Sequence, residues 1–300
     1  MEATLTQARR MLTGEGVAVD PQGAATLLAS AAEAGDGGAA TLLATIEAMG
    51  VAGPQNWDRA FAWLRRGAEL GCENASAQLA ILDGRGGIAA LTAAPAKRSL
   101  SESPRIRVID GFASPAECDW VIGRVRGRLG PAMVLDQKTG REATHPDRTN
   151  SSTQLDVPAM DVVVEVLRAR IATATGLPVP VFEPAQIMHY SPGEEFRPHF
   201  DFLTDEVEGW ATQLARFGQR IATFLLYLND DFEGGATDFP AIGVSHRAKR
   251  GDALFFANID PAGSPDRATL HAGRPPTQGE KWILSQWIRD RTPAPAGSPA

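Results

Sequence analysis

Four short apolar runs constrain this chain most. They occupy residues 185–190, 221–228, 253–257 and 282–288, and each is bounded by turn residues, mainly Gly, Pro, Asn and Asp. Apolar runs of this length between turn signals read as strands, and several in succession indicate a sandwich or a barrel. Residues 106–112 read as a further strand. Ser114 then caps a helix reaching about residue 129, with Pro115 at its first position. An amphipathic helix is expected over 160–174.

The first 91 residues follow another pattern, rich in Ala, Leu and Gly, with short helical periods broken by glycine. At an offset of 36, Asp20, Ala24, Leu28, Ala32, Glu33 and Gly35 match Asn56, Ala60, Leu64, Ala68, Glu69 and Gly71. Small residues let antiparallel helices approach closely, and glycines end them. An earlier helix over 5–12 reads as half of another unit. The pattern resembles SEL-type tetratricopeptide-like repeats. Such units stack because none buries its apolar face alone. Three uses stay open for them: holding a peptide or partner, dimerisation (a homodimer), or capping the rest of the chain. The expected organisation is a helical repeat domain over 1–94, a linker over 95–104, a second domain over 105–291 and a disordered tail over 292–300.

Three hundred residues suffice for two domains, each with its own core. A net charge of −7 without a long basic run argues against nucleic acid as the main partner. With only Cys72 and Cys118, neither a disulfide framework nor a structural zinc cluster is expected. The start, MEATLTQARRM, lacks the apolar core of a signal peptide, and no 18-residue apolar stretch occurs. The expectation is a cytoplasmic protein without a membrane span.

The chemistry concentrates in His199-Phe200-Asp201, answered by His271 70 residues after Asp201 and by Lys281 ten residues later. A strand projects alternate side chains to one face, so residues 199 and 201 can converge on one ion. Two neutral imidazoles and one carboxylate suit Fe(II) and leave coordination positions open. Lys281 offers a cation for the far end of a dicarboxylate. The remaining histidines read differently. His145 lies in a polar stretch, His246 in an expected turn, and His189 on the face of its strand opposite Tyr190.

The flanking blocks AQIMHYSPGEEFRPHFDFL (185–203), RIATFLLYLNDDFEGGATDFP (220–240), KRGDALFFA (249–257) and TLHAGRPPTQGEKWILSQWIRD (269–290) complete the pattern. Together they resemble the prolyl 4-hydroxylase family of Fe(II)/2-oxoglutarate dioxygenases, over roughly residues 105 to 291. The resemblance implies an α+β multidomain chain in which the helical repeats precede a double-stranded β-helix (jelly roll) with flanking helices. It implies His199, Asp201 and His271 as metal ligands and Lys281 as the partner of the distal 2-oxoglutarate carboxylate. Tyr190, Thr237 and Ser285 fall on positions that help hold this co-substrate, Ser285 standing where Thr is frequent. Arg220 and Trp287 match positions facing a peptidyl-proline pocket, and Phe196 stands where many relatives have Tyr. Gly234-Gly235 supplies a tight turn beside the site.

Residues 130–153 are polar and aperiodic, as expected of a lid. Arg148, Thr149 and Ser151 resemble the Arg-Thr-Ser stretch that ends it, with Asn150 interposed, which makes Arg148 a further candidate substrate contact. The implied reaction hydroxylates proline in a peptide or protein. It consumes dioxygen and 2-oxoglutarate, releases succinate and carbon dioxide, and uses ascorbate to keep the iron reduced. Two alternatives remain at this level: the same chemistry on a free amino acid or small metabolite, or a repeat-based scaffold carrying an inactive jelly roll.

Overall fold

The computed structural model describes residues 2–83, 86–135 and 141–292. The expected tail, apart from residue 292, and residues 136–140 of the expected lid lie outside them. The chain divides into two compact units, one of residues 1–93 with 156–170, the other of 94–155 with 171–300.

The first unit holds α1 (Glu2–Thr13), α2 (Pro21–Glu33), α3 (Gly37–Met49), α4 (Trp57–Glu69), α5 (Glu73–Leu82) and α6 (Ile88–Thr92). Side-chain caps start three of them: Asp20, Asp36 and Asn56 accept from the backbone N–H groups of Gly23, Ala39 and Arg59 at 2.8, 3.0 and 2.9 Å. Each satisfies a donor that the helix cannot. The core is built from small and branched residues, among them Ala24, Leu28, Ala32, Ala40, Leu43 and Ile46. Gly67 on α4 lets that helix lie directly against α3, since a Cβ there would sit 2.7 Å from Thr41 Oγ1. Residues 156–170 belong here rather than to the second unit as expected. Val162 donates its N–H to Gln78 Oε1 at 3.0 Å, and Arg170 donates to the carbonyl of Leu91 at 2.8 Å. The reason is visible in the helix they open, Val162–Thr175, whose first six residues are all buried. From residue 168 on it shows the expected one-sided exposure, with residues 168, 169, 172, 173 and 175 not fully buried and 170, 171 and 174 buried.

The second unit is antiparallel β-structure. Its larger sheet runs in the order β1 (Arg98–Ser101), β2 (Ile106–Ile109), β13 (Ala253–Ala257), β9 (Arg220–Tyr227), β16 (Lys281–Arg289), β7 (Gln186–Tyr190), β6 (Ser151–Gln154), β3 (Gly130–Pro131). A four-stranded sheet runs β12 (Val244–His246), β11 (Thr237–Phe239), β14 (His271–Gly273), β8 (Phe196–His199). Two small ribbons pair β10 (Glu233–Gly234) with β15 (Pro276–Gln278) and β4 (Val134–Leu135) with β5 (Glu142–Ala143). The helix α7 (Pro115–Val125) opens on a capping box between Ser114 and Glu117 and ends short of residue 129, in a 3-10 turn. With the helix 162–175 as α8, the last helix, α9 (Glu208–Phe217), precedes β9.

Two corrections follow. The segment 95–104, expected as a linker, contributes β1, held by Ser99 and Ser101 acting as acceptors for Arg107. His246 ends a strand opposite Thr237 instead of occupying a turn.

Strand parity builds the core. Ile106, Val108, Met188, Tyr190, Leu225, Tyr227, Leu254, Phe256 and Ile283, all alternate positions on the large sheet, pack with Phe239, Phe196 and Val244 of the small one. Side chains of two antiparallel sheets meeting in one apolar layer give a jelly-roll-like sandwich. Lys281, Ser285 and Trp287 share the parity of Ile283 and therefore face the same interior.

Candidate active site

His199 closes β8 and His271 opens β14, and the two are direct cross-strand partners. Asp201 follows His199 by two residues, so all three side chains converge. Their ligand-type atoms lie within 4.8 Å of one another. Asp201 Oδ1 is 3.8 Å from His199 Nε2, and Oδ2 is 3.4 Å from His271 Nε2.

The tautomers fit a metal. His199 Nδ1 lies 2.7 Å from the carbonyl of Arg197, and His271 Nδ1 lies 3.0 Å from that of Thr269. A carbonyl only accepts, so each Nδ1 carries the proton and each Nε2 keeps its lone pair toward Asp201. Burial first, and then the neighbouring His271, pushes the His199 imidazole down to about 3, so the ring stays neutral. For Asp201, burial alone would raise the carboxyl, but His271, His199 and the Thr223 hydroxyl together hold it below its ordinary value. Phe196 stacks flat on His199, with ring centroids 3.4 Å apart, and the Arg148 guanidinium covers its other face at 4.6 Å. This fixes the imidazole plane from the outside.

Behind these residues is a small cavity lined by Tyr190, Thr237, Ser285, Lys281, His271 and Asp201, among others. Lys281 is fully buried, and its Nζ has no hydrogen-bond partner among the described residues. Burial pushes this amine down to about 7. An unpaired buried amine aimed into a cavity is costly unless an anion meets it, so the cavity fits a small carboxylate ligand. Tyr190 and Thr237 sit in its wall. Burial raises the Tyr190 phenol to about 12, keeping it neutral, and Thr237 Oγ1 is 2.6 Å from the Tyr227 hydroxyl. Ser285 is buried on the same strand face as Lys281.

In front is an open pocket of about 980 Å³ that reaches the same His199 and Asp201. Phe196, Arg148, Arg220 and Trp287 all line it. Two of these already bond to neighbouring groups. The Arg220 guanidinium lies over the Trp287 ring at 4.0 Å, and its Nε and Nη2 donate to Glu183 at 2.6 and 2.8 Å. Arg148 is nearly buried, and its three nitrogens donate to Met133, Gln186 and Asn150. It braces the start of β6 more than it offers free donors. Burial would raise the Glu183 carboxyl, yet Arg220 and Arg289 hold it below its usual range.

Sequence reasoning missed Glu183, Arg289, Tyr227, Thr223 and Asn258. For Thr223 and Tyr227 a signal existed: they are the polar positions on the inward parity of RIATFLLY. Of the other histidines, His145 lines the front pocket away from the three ligand-type residues. His189 faces away, ring to ring with Trp282 at 4.4 Å, and His145 lies 3.5 Å from Asp147.

Residues 185–289 match the 2OG-Fe(II) oxygenase superfamily model. Prolyl 4-hydroxylase 1 of Arabidopsis thaliana is 34% identical over 206 residues, covering 64% of this chain and 71% of that protein. The rat (Rattus norvegicus) prolyl 4-hydroxylase subunit alpha-1 is 37% identical over 199 residues, which are 66% of this chain and 37% of the rat subunit. Among solved structures, the viral collagen prolyl hydroxylase of Paramecium bursaria Chlorella virus-1, in its 2OG complex, is 28% identical. That match covers 61% of this chain and 94% of the viral one, with a TM-score of 0.47.

Proposed function

This chain belongs to the prolyl 4-hydroxylase family of 2OG-Fe(II) oxygenases, and we propose that it hydroxylates proline within a peptide or protein. The observation that carries the peptide reading is the meeting of two compartments at His199 and Asp201. The rear one is small and presents the Lys281 amine, whereas the front one is open and about 980 Å³. A free amino acid would leave most of that front pocket unfilled, while an extended peptide would occupy it.

In this reading His199 Nε2, Asp201 and His271 Nε2 hold Fe(II), and Lys281 pairs with the distal carboxylate of 2-oxoglutarate. Bound iron supplies the redox chemistry by which dioxygen oxidises 2-oxoglutarate to succinate and carbon dioxide and leaves a hydroxyl on the substrate. The protein's own groups orient and exclude. Tyr190, Thr237 and Ser285 shape the rear cavity around the co-substrate. Trp287, beneath the Arg220 guanidinium, offers an apolar wall for a pyrrolidine ring. Phe196 and Arg148 shield His199 from water on the pocket side.

The helices of the first unit are proposed as SEL-type repeats that hold the peptide. Supporting this are the matching caps of Asp20 and Asn56, 36 residues apart, and buried Leu28 and Leu64 at the same offset. Deleting residues 1–94 would strip Gln78 and Leu91 from residues 156–170, so hydrogen exchange on the intact chain is the better probe. Peptide binding should slow exchange in α2 to α5.

Turnover decides the main reading. Protein loaded with Fe(II) and 2-oxoglutarate, given oxygen and proline-containing peptides, should yield succinate and a peptide with one added oxygen on proline. His199→Ala should yield neither. Succinate formed only with a small metabolite would favour the same chemistry on a free substrate.

A further inference from the structure

Two residues outside the ligand set act on it through a single oxygen. Thr223 lies on β9 between Phe256 and Trp287 of the flanking strands and is fully buried. Its Oγ1 is 2.6 Å from Asp201 Oδ2. Asn258, just past β13 and also fully buried, places Nδ2 3.0 Å from the same Oγ1. The backbone of Asn258 is pinned on both sides, donating to Ile221 at 2.9 Å and accepting from Asp266 at 3.0 Å.

The direction of this chain of bonds follows from the groups themselves. An ionised carboxylate only accepts, and a hydroxyl has one hydrogen to give. Thr223 must spend it on Asp201, so its oxygen is free to accept, and Asn258 must present its nitrogen. The amide orientation is thereby fixed. That orientation leaves Asn258 Oδ1 buried with no hydrogen-bond partner among the described residues. An unsatisfied buried carbonyl is unfavourable. It persists because the other end of the amide is committed. Among the described residues no hydrogen bond reaches Asp201 Oδ1.

We propose that Thr223, oriented by Asn258, is a positioning residue that locks the Asp201 carboxylate plane and confines it to ligating through one oxygen. The inference rests on the reading of Asp201 as a metal ligand. A carboxylate free to turn can give both oxygens to an ion, filling a position that the co-substrate or dioxygen needs. One fixed by a short hydrogen bond cannot. Outer hydrogen bonds of this kind typically tune metal affinity by about 10- to 100-fold.

The test needs no turnover. Metal-free full-length protein is titrated with Co(II), reading both the affinity and the visible absorption band, which reports coordination number. Thr223→Ser should behave like the parent. Thr223→Val, the same shape without the donor, should lose about 10- to 100-fold in Co(II) affinity and change the band. Asn258→Asp sets a second acceptor against Thr223 and should move both readouts the same way, and it carries the test if Thr223→Val does not fold. Parent-like affinity and band in Thr223→Val and Asn258→Asp would overturn the proposal, as would equal damage in Thr223→Ser. Undiminished Co(II) binding by Asp201→Ala would instead sink the ligand reading beneath it.

Discussion

Lys281 is the direct cross-strand partner of Tyr190, with its Nζ 5.0 Å from the Tyr190 ring centroid and 5.9 Å from that of Tyr227. Aromatic faces favour a cation, but burial outweighs them and holds the amine at about 7, against an ordinary 10.5. A bound dianion reverses this by stabilising the charged form. Binding of 2-oxoglutarate above pH 7 should therefore take up a proton, and affinity should fall by up to about tenfold per pH unit from there toward 10. Calorimetry in buffers of different ionisation enthalpy measures the uptake, and no uptake at pH 8 would contradict it. In the ligand-free protein the unfolded chain binds the extra proton between about 7 and 10.5, so stability should rise with pH across that window.

Gly235 has φ +65°, and a Cβ there would lie 2.6 Å from Phe232 Cε2 and 3.2 Å from Lys281 Cδ. Gly235→Ala should cost about 1–3 kcal/mol and weaken 2-oxoglutarate binding far more than metal binding. Thermal melts and separate titrations of the two ligands would show it. Equal losses for both would mean a general collapse of the site.

Glu183 is shared by Arg220 and Arg289, each at 2.6 Å. Glu183→Gln leaves two buried guanidinium groups without their counter-charge, at an expected cost of about 3–5 kcal/mol. Because Arg220 also lies on Trp287, the KM for peptide should rise while that for 2-oxoglutarate holds. The folded carboxyl titrates below its ordinary 4.5. Its stabilisation is thus full above that value and lost as pH falls through the folded one, a loss that the variant should not show.

In the helical unit, Gly67→Ala should destabilise by about 1–3 kcal/mol through the close approach of α4 to α3. Gly53→Ala, where nothing lies within 4 Å of a new Cβ, is the neutral control. Chemical denaturation of the two variants distinguishes a packing constraint from a general dislike of alanine.

What could be read in the sequence was local. The alternation that puts His199 and Asp201 on one side, and Lys281 with Ser285 and Trp287 on another strand's inner side, is a property of each strand alone. Where the reading fell short, the cause was distant. Asp201 and Thr223 are 22 residues apart, and Thr223 and Asn258 are 35 apart. Only sheet order brings β9 and the end of β13 to the ligand. The strand at Arg98–Ser101 was masked by its Ser-rich, charged composition, since it earns its place through hydrogen bonds to Arg107. The amphipathic helix expected over 160–174 keeps an exposed side only from residue 168 on, because Val162 to Leu167 are all buried by distant parts of the chain.

The inner face of β16 carries Lys281, Ser285 and Trp287 within seven residues, about 20 Å of backbone. Anion anchor and substrate wall are thus counted off along one pleat. Exchange of a side chain on this strand alters one contact. Gain or loss of a single residue between 281 and 287 would turn part of this set toward the opposite face and bring Trp282, Leu284 or Gln286 inward in its place. Descent with modification can rewrite the letters of this strand, but its length is not free to drift.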